Sequence, residues 1–158
     1  MALPYKFGDI ATGIFDDEFD GDTGYATVTN ISGWLAANLG ILNTRLYSCF
    51  SGSGEYIQGT GGFKFEEEAI YKQLYLTNFY NKKARATLRG IDSSVDFIRL
   101  KEGDAEIVRT NKNEIAKTYK GLANDYKRNT DGLVTQYNLY AAAPVQVAGE
   151  DGSLSGVY

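Results

Sequence analysis

The stretch Phe65–Arg89, FEEEAIYKQLYLTNFYNKKARATLR, decides the fold because it carries the clearest helical pattern in the chain. Its apolar residues recur at spacings of three and four, which is typical of one face of a helix. Three glutamates occupy its first turn and bases occupy its last turns, an order that complements the helix macrodipole, and Gly90 follows as a stop signal. The sequence therefore predicts a long amphipathic helix over these residues.

Two further helices are predicted on either side of this stretch. Apolar residues at helical spacing run from about Asn30 to Phe50. The last helix opens at Asn111 with a pattern like a capping box and continues to Tyr140. Four tyrosines share one stripe of this last helix, which indicates a face that is part core and part contact surface: Tyr119, Tyr126, Tyr137 and Tyr140.

The segments between and beyond the helices differ in period and charge. Two β-branched runs in residues 95–109 flank Lys101–Asp104 and predict a small β-hairpin. The glycine-rich residues 51–62 predict a flexible loop. Residues 1–30 carry six acids and one base, whereas the rest of the chain is nearly neutral, so we expect a solvated, extended acidic arm at the start. The composition of residues 141–158 predicts an extended tail.

The predicted fold class is therefore mainly α. It comprises a three-helix bundle with a small β-hairpin before the last helix, an extended N-terminal arm and an extended C-terminal tail. The expected division is an acidic arm at 1–29, a helical domain at 30–140 and a tail at 141–158. A chain of 158 residues with 43% hydrophobic and 23% charged residues suits one globular domain.

Composition excludes several kinds of chemistry. The chain has no histidine and one cysteine, so Ser-His-Asp and Cys-His nucleophile systems, histidine-bound metals and intrachain disulfides are excluded. Cys49 lies in an apolar run, where we expect a buried small hydrophobe. No apolar run reaches 18 residues and no signal peptide is recognisable, so we expect an intracellular product without a membrane span. The net charge of −4 disfavours a protein that coats nucleic acid.

Motifs that suggest catalysis or ligand binding are all incomplete. Asp16–Gly21 resembles the start of a calcium loop, but position 12 of that loop is Thr27 rather than glutamate. The glycine-rich loop lacks the spacing of a phosphate-binding loop. The glutamates at 66–68 are explained by the helix dipole, and a carboxylate cluster for metal binding or acid–base chemistry is the alternative. The bases at 82–89 near Tyr80 are also explained by the helix dipole, and contact with nucleic acid is the alternative. We therefore predict no catalytic residue, no cofactor and no metal site.

The predicted helices and hairpin, together with the amino-acid sequence of the second half of the chain, resemble the head–tail connector (adaptor) proteins of tailed bacteriophages. The resemblance covers about residues 30–140 and is carried by four runs: Gly33–Leu35 through Leu42–Asn43, Glu66–Leu76, Ile98–Asp104 and Asn111–Tyr119. The Gly103-Asp104 turn that leads into a helix is the feature most typical of that family.

The resemblance implies a non-enzymatic structural protein of the virion, assembled in the host cytoplasm. It implies a homo-oligomeric ring, twelvefold in such proteins, between the capsid portal and the tail or neck protein below, with double-stranded DNA passing through its lumen without sequence-specific binding. Contacts with neighbouring subunits or partners are then expected in the hairpin and in the tail, at Phe97, Glu102, Gly103, Asp104, Ile107, Pro144, Val145, Val147, Leu154 and Tyr158.

Two other functions stay open from the sequence. One is a different tail-associated structural protein, such as a tail-completion or terminator subunit, a class that usually contains more β-structure. The other is a calcium-dependent or carboxylate enzyme that uses the acidic arm. Deleting residues 1–24 would abolish the activity of such an enzyme, whereas the connector prediction expects impaired assembly only.

Overall fold

Four helices and two small antiparallel hairpins make up the described part of the chain. The computed structural model describes residues 5–59, 61–89, 99–102, 105–108 and 112–142, with only the backbone of the strands at 99–102 and 105–108. The elements in chain order are α1 Phe7–Phe19, α2 Val28–Leu46, β1 Ser51–Ser53, β2 Tyr56–Gln58, α3 Phe65–Leu88, β3 Arg99–Glu102, β4 Ala105–Val108 and α4 Lys112–Ala142. The prediction of a mainly helical fold with a hairpin before the last helix is confirmed.

Helices α3 and α4 form the most extensive contact in the described structure. Helix α3 agrees closely with the predicted helix over 65–89, and α4 agrees with the one predicted from Asn111 to Tyr140. The first turn of α3 is capped by Glu67, whose carboxylate accepts a hydrogen bond of 2.8 Å from the Lys64 backbone N–H. The sequence pattern of apolar spacing and helix-end residues thus predicted both helices correctly.

Helix α2 ends earlier than predicted. Its N-terminus is capped by the Thr27 side chain, but its last helical residue is Leu46, and Tyr47 adopts a left-handed conformation with φ 52°. The Asn43 side chain then bonds both the backbone N–H and the carbonyl of Phe50, at 2.9 and 2.8 Å. These bonds hold residues 47–50 in a turn outside the helix. The prediction that Cys49 is buried is wrong, because this turn leaves its side chain exposed.

The predicted extended arm is instead helix α1, a correction to the expected fold. Residues Phe7–Phe19 form 13 residues of helix. The buried side chains of α1 follow a helical period and join the core shared with α2 and α3: Phe7, Ile10, Ala11, Ile14 and Phe19. The side chains of Asp9, Asp16, Asp17 and Glu18 are exposed. The acidic charge belongs to the outer face of an amphipathic helix, and the described structure therefore has four helices rather than three.

The predicted glycine-rich loop is also partly wrong, because residues 51–58 form the hairpin β1–β2 with Ser51 opposite Gln58. Gly54, at the turn, has a φ of 60°, a conformation that glycine adopts without strain. Tyr5 and Phe7 bond to this hairpin: the Ile57 N–H donates to the Tyr5 carbonyl at 2.8 Å, and the Phe7 N–H donates to the Glu55 carbonyl at 3.0 Å. Tyr5, two residues before α1, is thereby joined to β2.

Substitution of Gly59 and Gly40 by alanine tests how closely side chains pack around the end of β2 and around α2. A Cβ at Gly59 would lie 2.5 Å from Cδ1 of the Phe50 ring, a steric clash. We expect Gly59→Ala to lower the free energy of unfolding by about 1–3 kcal/mol. At Gly40 on α2 a Cβ would meet nothing within 4 Å, so Gly40→Ala should raise it by about 0.8 kcal/mol. Urea unfolding of both variants measures this; a Gly59→Ala variant of unchanged stability would contradict the clash.

Candidate assembly surface

The contact residues predicted from the sequence are only partly within the described structure. Glu102 ends β3, and Ile107 lies in β4 opposite Leu100 in the antiparallel register. The hairpin itself is confirmed, with Glu102 opposite Ala105. The other predicted contacts lie outside the described residues: Phe97, Gly103, Asp104, Pro144, Val145, Val147, Leu154 and Tyr158. They stay predictions.

An apolar surface lies where α3 begins and α4 nears its end. The Phe65 side chain is 78% exposed and the Tyr140 side chain is 86% exposed. Both border a groove of about 510 Å³, lined mainly by Phe65, Ala69, Ile70, Leu133, Tyr137 and Tyr140. These six residues are called the apolar end surface below. Exposed aromatic residues grouped around a groove are typical of a surface that another molecule covers.

Two part-buried hydrogen bonds and one exposed ion pair join the helices around the apolar end surface. The Glu67 side chain is 2% exposed, and one of its carboxylate oxygens accepts a hydrogen bond of 2.6 Å from the Tyr137 hydroxyl. Because the other oxygen caps α3 through the Lys64 N–H, this carboxylate links the two helices that carry the surface. Arg45 adds a link from α2 to α4 through an ion pair of 2.8 Å with Asp131. The groove is therefore preformed.

The Tyr137–Glu67 contact should make the free energy of unfolding depend on pH. Burial, together with the Glu67 hydrogen bond, raises the pKa of Tyr137 to about 12. The folded chain therefore holds this proton more tightly than the unfolded chain, whose tyrosines have a pKa of about 10. The stabilising contribution of Tyr137 is complete below pH 10 and is lost as the pH rises through about 12.

Urea unfolding across this pH range measures the effect, with Tyr137→Phe as the reference protein. We expect the stability difference between the two proteins to shrink above pH 10. Other tyrosines with a raised pKa, such as Tyr75 and Tyr126, are present in both proteins and cancel in the comparison. A difference that stays constant up to pH 12 would contradict the assignment.

The tyrosine stripe of α4 divides into a packed part and an exposed part. Tyr126 stacks on Tyr80 of α3 with ring centroids 5.4 Å apart, and Tyr119 stacks on the same ring at 6.3 Å. Tyr126 also donates a weak hydrogen bond of 3.4 Å to Glu18 of α1. Tyr137 is half-buried and Tyr140 is exposed. The contact surface is thus confined to the last turns of the helix.

A second groove lies at the opposite end of the α3–α4 pair. It has a volume of about 760 Å³, its buried side chains are Ala84 and Ala116, and its cationic residues are Arg85, Lys117 and Lys120. None of the described residues that line it is acidic. We call it the cationic groove. The sequence analysis attributed the bases of α3 to the helix terminus and had no signal that α4 places two lysines beside one of them.

The described residues do not support a metal site in the acidic segment. Asp16 and Glu18 lie in the last turns of α1, where residues two apart point to different sides of the helix. Among the residues that the structure describes, no group of three or more acidic or cysteine side chains could hold a metal ion. The Lys83 ammonium lies over the rings of Tyr25 and Phe79, at 5.6 and 5.4 Å, so this base is engaged within the chain.

Comparison with protein-family models, with curated proteins and with solved structures finds no match. Within the described ranges, none of the helices combines the length and the apolar character that crossing a bilayer requires. The functional argument therefore depends on the two grooves, on the helical fold and on the sequence resemblance.

Proposed function

We propose that this chain is a structural subunit of a homo-oligomeric ring that joins the capsid portal of a tailed bacteriophage to the tail or neck protein below. The sequence resemblance in residues 30–140 supports this function, as does the order of elements, with a hairpin directly before a long last helix. The protein would then be part of the virion. Its mainly helical structure supports an adaptor rather than a strand-rich tail-completion or terminator subunit.

The apolar end surface is the observation that carries this proposal. Phe65 and Tyr140 are among the largest apolar side chains of the chain, yet the subunit leaves both exposed beside a preformed groove. Burying an aromatic side chain in an interface contributes about 2 kcal/mol or more at favourable positions. A subunit that assembles would gain this energy, whereas a monomer leaves the surface in water.

The exposed acids of α1 support a position beside DNA without binding it. Asp9, Asp16, Asp17 and Glu18 of α1 are all exposed, and the chain as a whole has a net charge of −4. Negative side chains that line a channel repel the phosphates of a passing duplex and prevent it from adhering. In the proposed ring, α1 faces the lumen.

The native mass of the protein tests the proposal. Light scattering on a sizing column, run over a wide concentration range, should give a particle several times the subunit mass of 17.4 kDa, either alone or once portal particles are added. Negative-stain images of that particle should show a ring. A protein that remains at 17.4 kDa throughout, and that portal particles do not retain, would contradict the proposed function.

A further inference from the structure

Among the residues that the structure describes, none compensates the positive charge of the cationic groove. Within the described part of the chain, Arg85 and Lys117 form no ion pair, and Lys120 donates only to the neutral Asn81 side chain, at 2.8 Å. The groove floor is apolar because Ala84 and Ala116 are buried there. An occupant that fits this groove combines negative charge with small or aliphatic side chains.

The C-terminal segment, residues 143–158, has this composition. It contains two acids, Glu150 and Asp151, and no base. Its apolar residues are small or aliphatic on both sides of the acidic pair, apart from one tyrosine: Ala143, Pro144, Val145, Val147, Ala148, Leu154, Val157 and Tyr158. The chemistry of this segment is therefore complementary to that of the groove.

The length of the chain argues that the segment comes from a different copy. Helix α4 ends at Ala142, and Lys117 lies about 25 residues earlier, roughly 38 Å along the helix axis. Glu150 follows Ala142 by about eight residues, which span at most about 28 Å when fully extended. Pairing of Glu150 with Lys117 of the same subunit would therefore require a fully extended segment with both side chains stretched toward each other, which leaves no slack for its aliphatic residues to cover the groove floor. A segment from a neighbouring subunit has no such restriction.

We propose that the cationic groove binds the C-terminal segment 143–158 of a second copy of this chain. Glu150 and Asp151 pair with Arg85 and Lys117, while the aliphatic side chains cover the apolar floor. Because each subunit has one groove and one segment, and these are different surfaces, the contact is head-to-tail and propagates from copy to copy. This inference rests on the proposed function in that it requires assembly of identical subunits.

Peptide binding to the full-length protein tests the contact. The receptor is the Glu150→Ser/Asp151→Ser variant, whose groove is intact and whose neutral C-terminal segments do not compete for either the natural or the charge-reversed groove. A fluorescent peptide with the sequence of residues 143–158 should bind it, as measured by anisotropy, and added salt should weaken the binding. Adding Arg85→Glu/Lys117→Glu to the receptor should weaken binding at least tenfold, about the effect expected for reversing two attractive charges.

A matched control and a rescue make the result specific. The same receptor with Lys127→Glu/Arg128→Glu, two exposed bases of α4 outside the groove, should bind the peptide unchanged. A peptide with both acids replaced by lysine should bind the groove-reversed receptor better than the natural peptide does. Absence of peptide binding, or binding that groove reversal leaves unaltered, overturns the inference.

A short DNA duplex serves as the competing ligand. If the duplex binds, loses its affinity on groove reversal, and the peptide does not bind, the groove is a nucleic-acid surface and the inference is wrong. The native-mass experiment reports separately on the proposed function. If the protein forms rings but does not bind the peptide, the proposed function stands and the inference is wrong. If the protein stays monomeric even with portal particles, the proposed function is wrong.

Discussion

The double variant Phe65→Ser/Tyr140→Ser is expected to stay monomeric at concentrations where the unsubstituted protein assembles. Both side chains are exposed in the subunit, at 78% and 86%, so their replacement removes little from the core. In an interface, each would contribute about 2 kcal/mol or more, which corresponds to about a 30-fold rise in the dissociation constant per residue. The combined loss should move assembly out of the micromolar range.

Light scattering at several protein concentrations measures this effect, and urea unfolding checks that the subunit is intact. We expect the free energy of unfolding to change by less than about 0.5 kcal/mol, as for other surface substitutions. Leu139→Ser is the matched control, because Leu139 is 68% exposed on the same helix but does not line the groove. Assembly of the double variant at the concentration of the natural protein would show that the apolar end surface is not the interface.

Truncating the buried face of α1 should produce the largest loss of stability. The Ile14 side chain is fully buried in the core shared with α2 and α3. We expect Ile14→Ala to lower the free energy of unfolding by about 2–5 kcal/mol, because it removes buried methyl groups and leaves a cavity. Asp16→Ala, on the exposed side of the same helix, should have little effect.

Deleting residues 1–24 distinguishes the helix from the solvated arm that the sequence indicated. A core helix predicts that the truncated chain loses its cooperative unfolding transition, whereas an extended arm predicts a stable subunit that assembles poorly. Chemical unfolding followed by circular dichroism measures both cases. A cost below about 1 kcal/mol for Ile14→Ala, together with a stable truncated chain, would contradict the packing of α1.

The apolar period of the sequence was sufficient to predict α3, α4 and the hairpin β3–β4. It failed for α1 because acids dominate that segment, although Phe7, Ile10 and Ile14 already have the spacing of a buried helical face. The strands β1 and β2 have three residues each and a glycine-rich sequence, so local propensity does not predict their pairing. The hairpin also bonds to the backbone of Tyr5 and Phe7, a contact that no local pattern indicates.

The candidate surfaces were harder to predict than the elements that carry them. Phe65 belongs to the period of α3, and only the position of α4 shows that its side chain is left uncovered. The cationic groove likewise requires Arg85 and Lys117, which are far apart in sequence, to lie side by side. A single helix pattern shows which residues are apolar or charged, but the faces left open depend on how two helices pack.

The attachment of Tyr5 to β2 has a practical consequence for handling the protein. Tyr5 contacts the Phe65 ring, with centroids 6.0 Å apart, and the Ile57 N–H holds the Tyr5 backbone in place. An affinity tag attached upstream of Tyr5 is therefore close in sequence to a residue that packs on the Phe65 ring. Purification of a tagged protein could yield only single subunits because the tag shields that ring, so the tag should be cleaved before native mass is recorded.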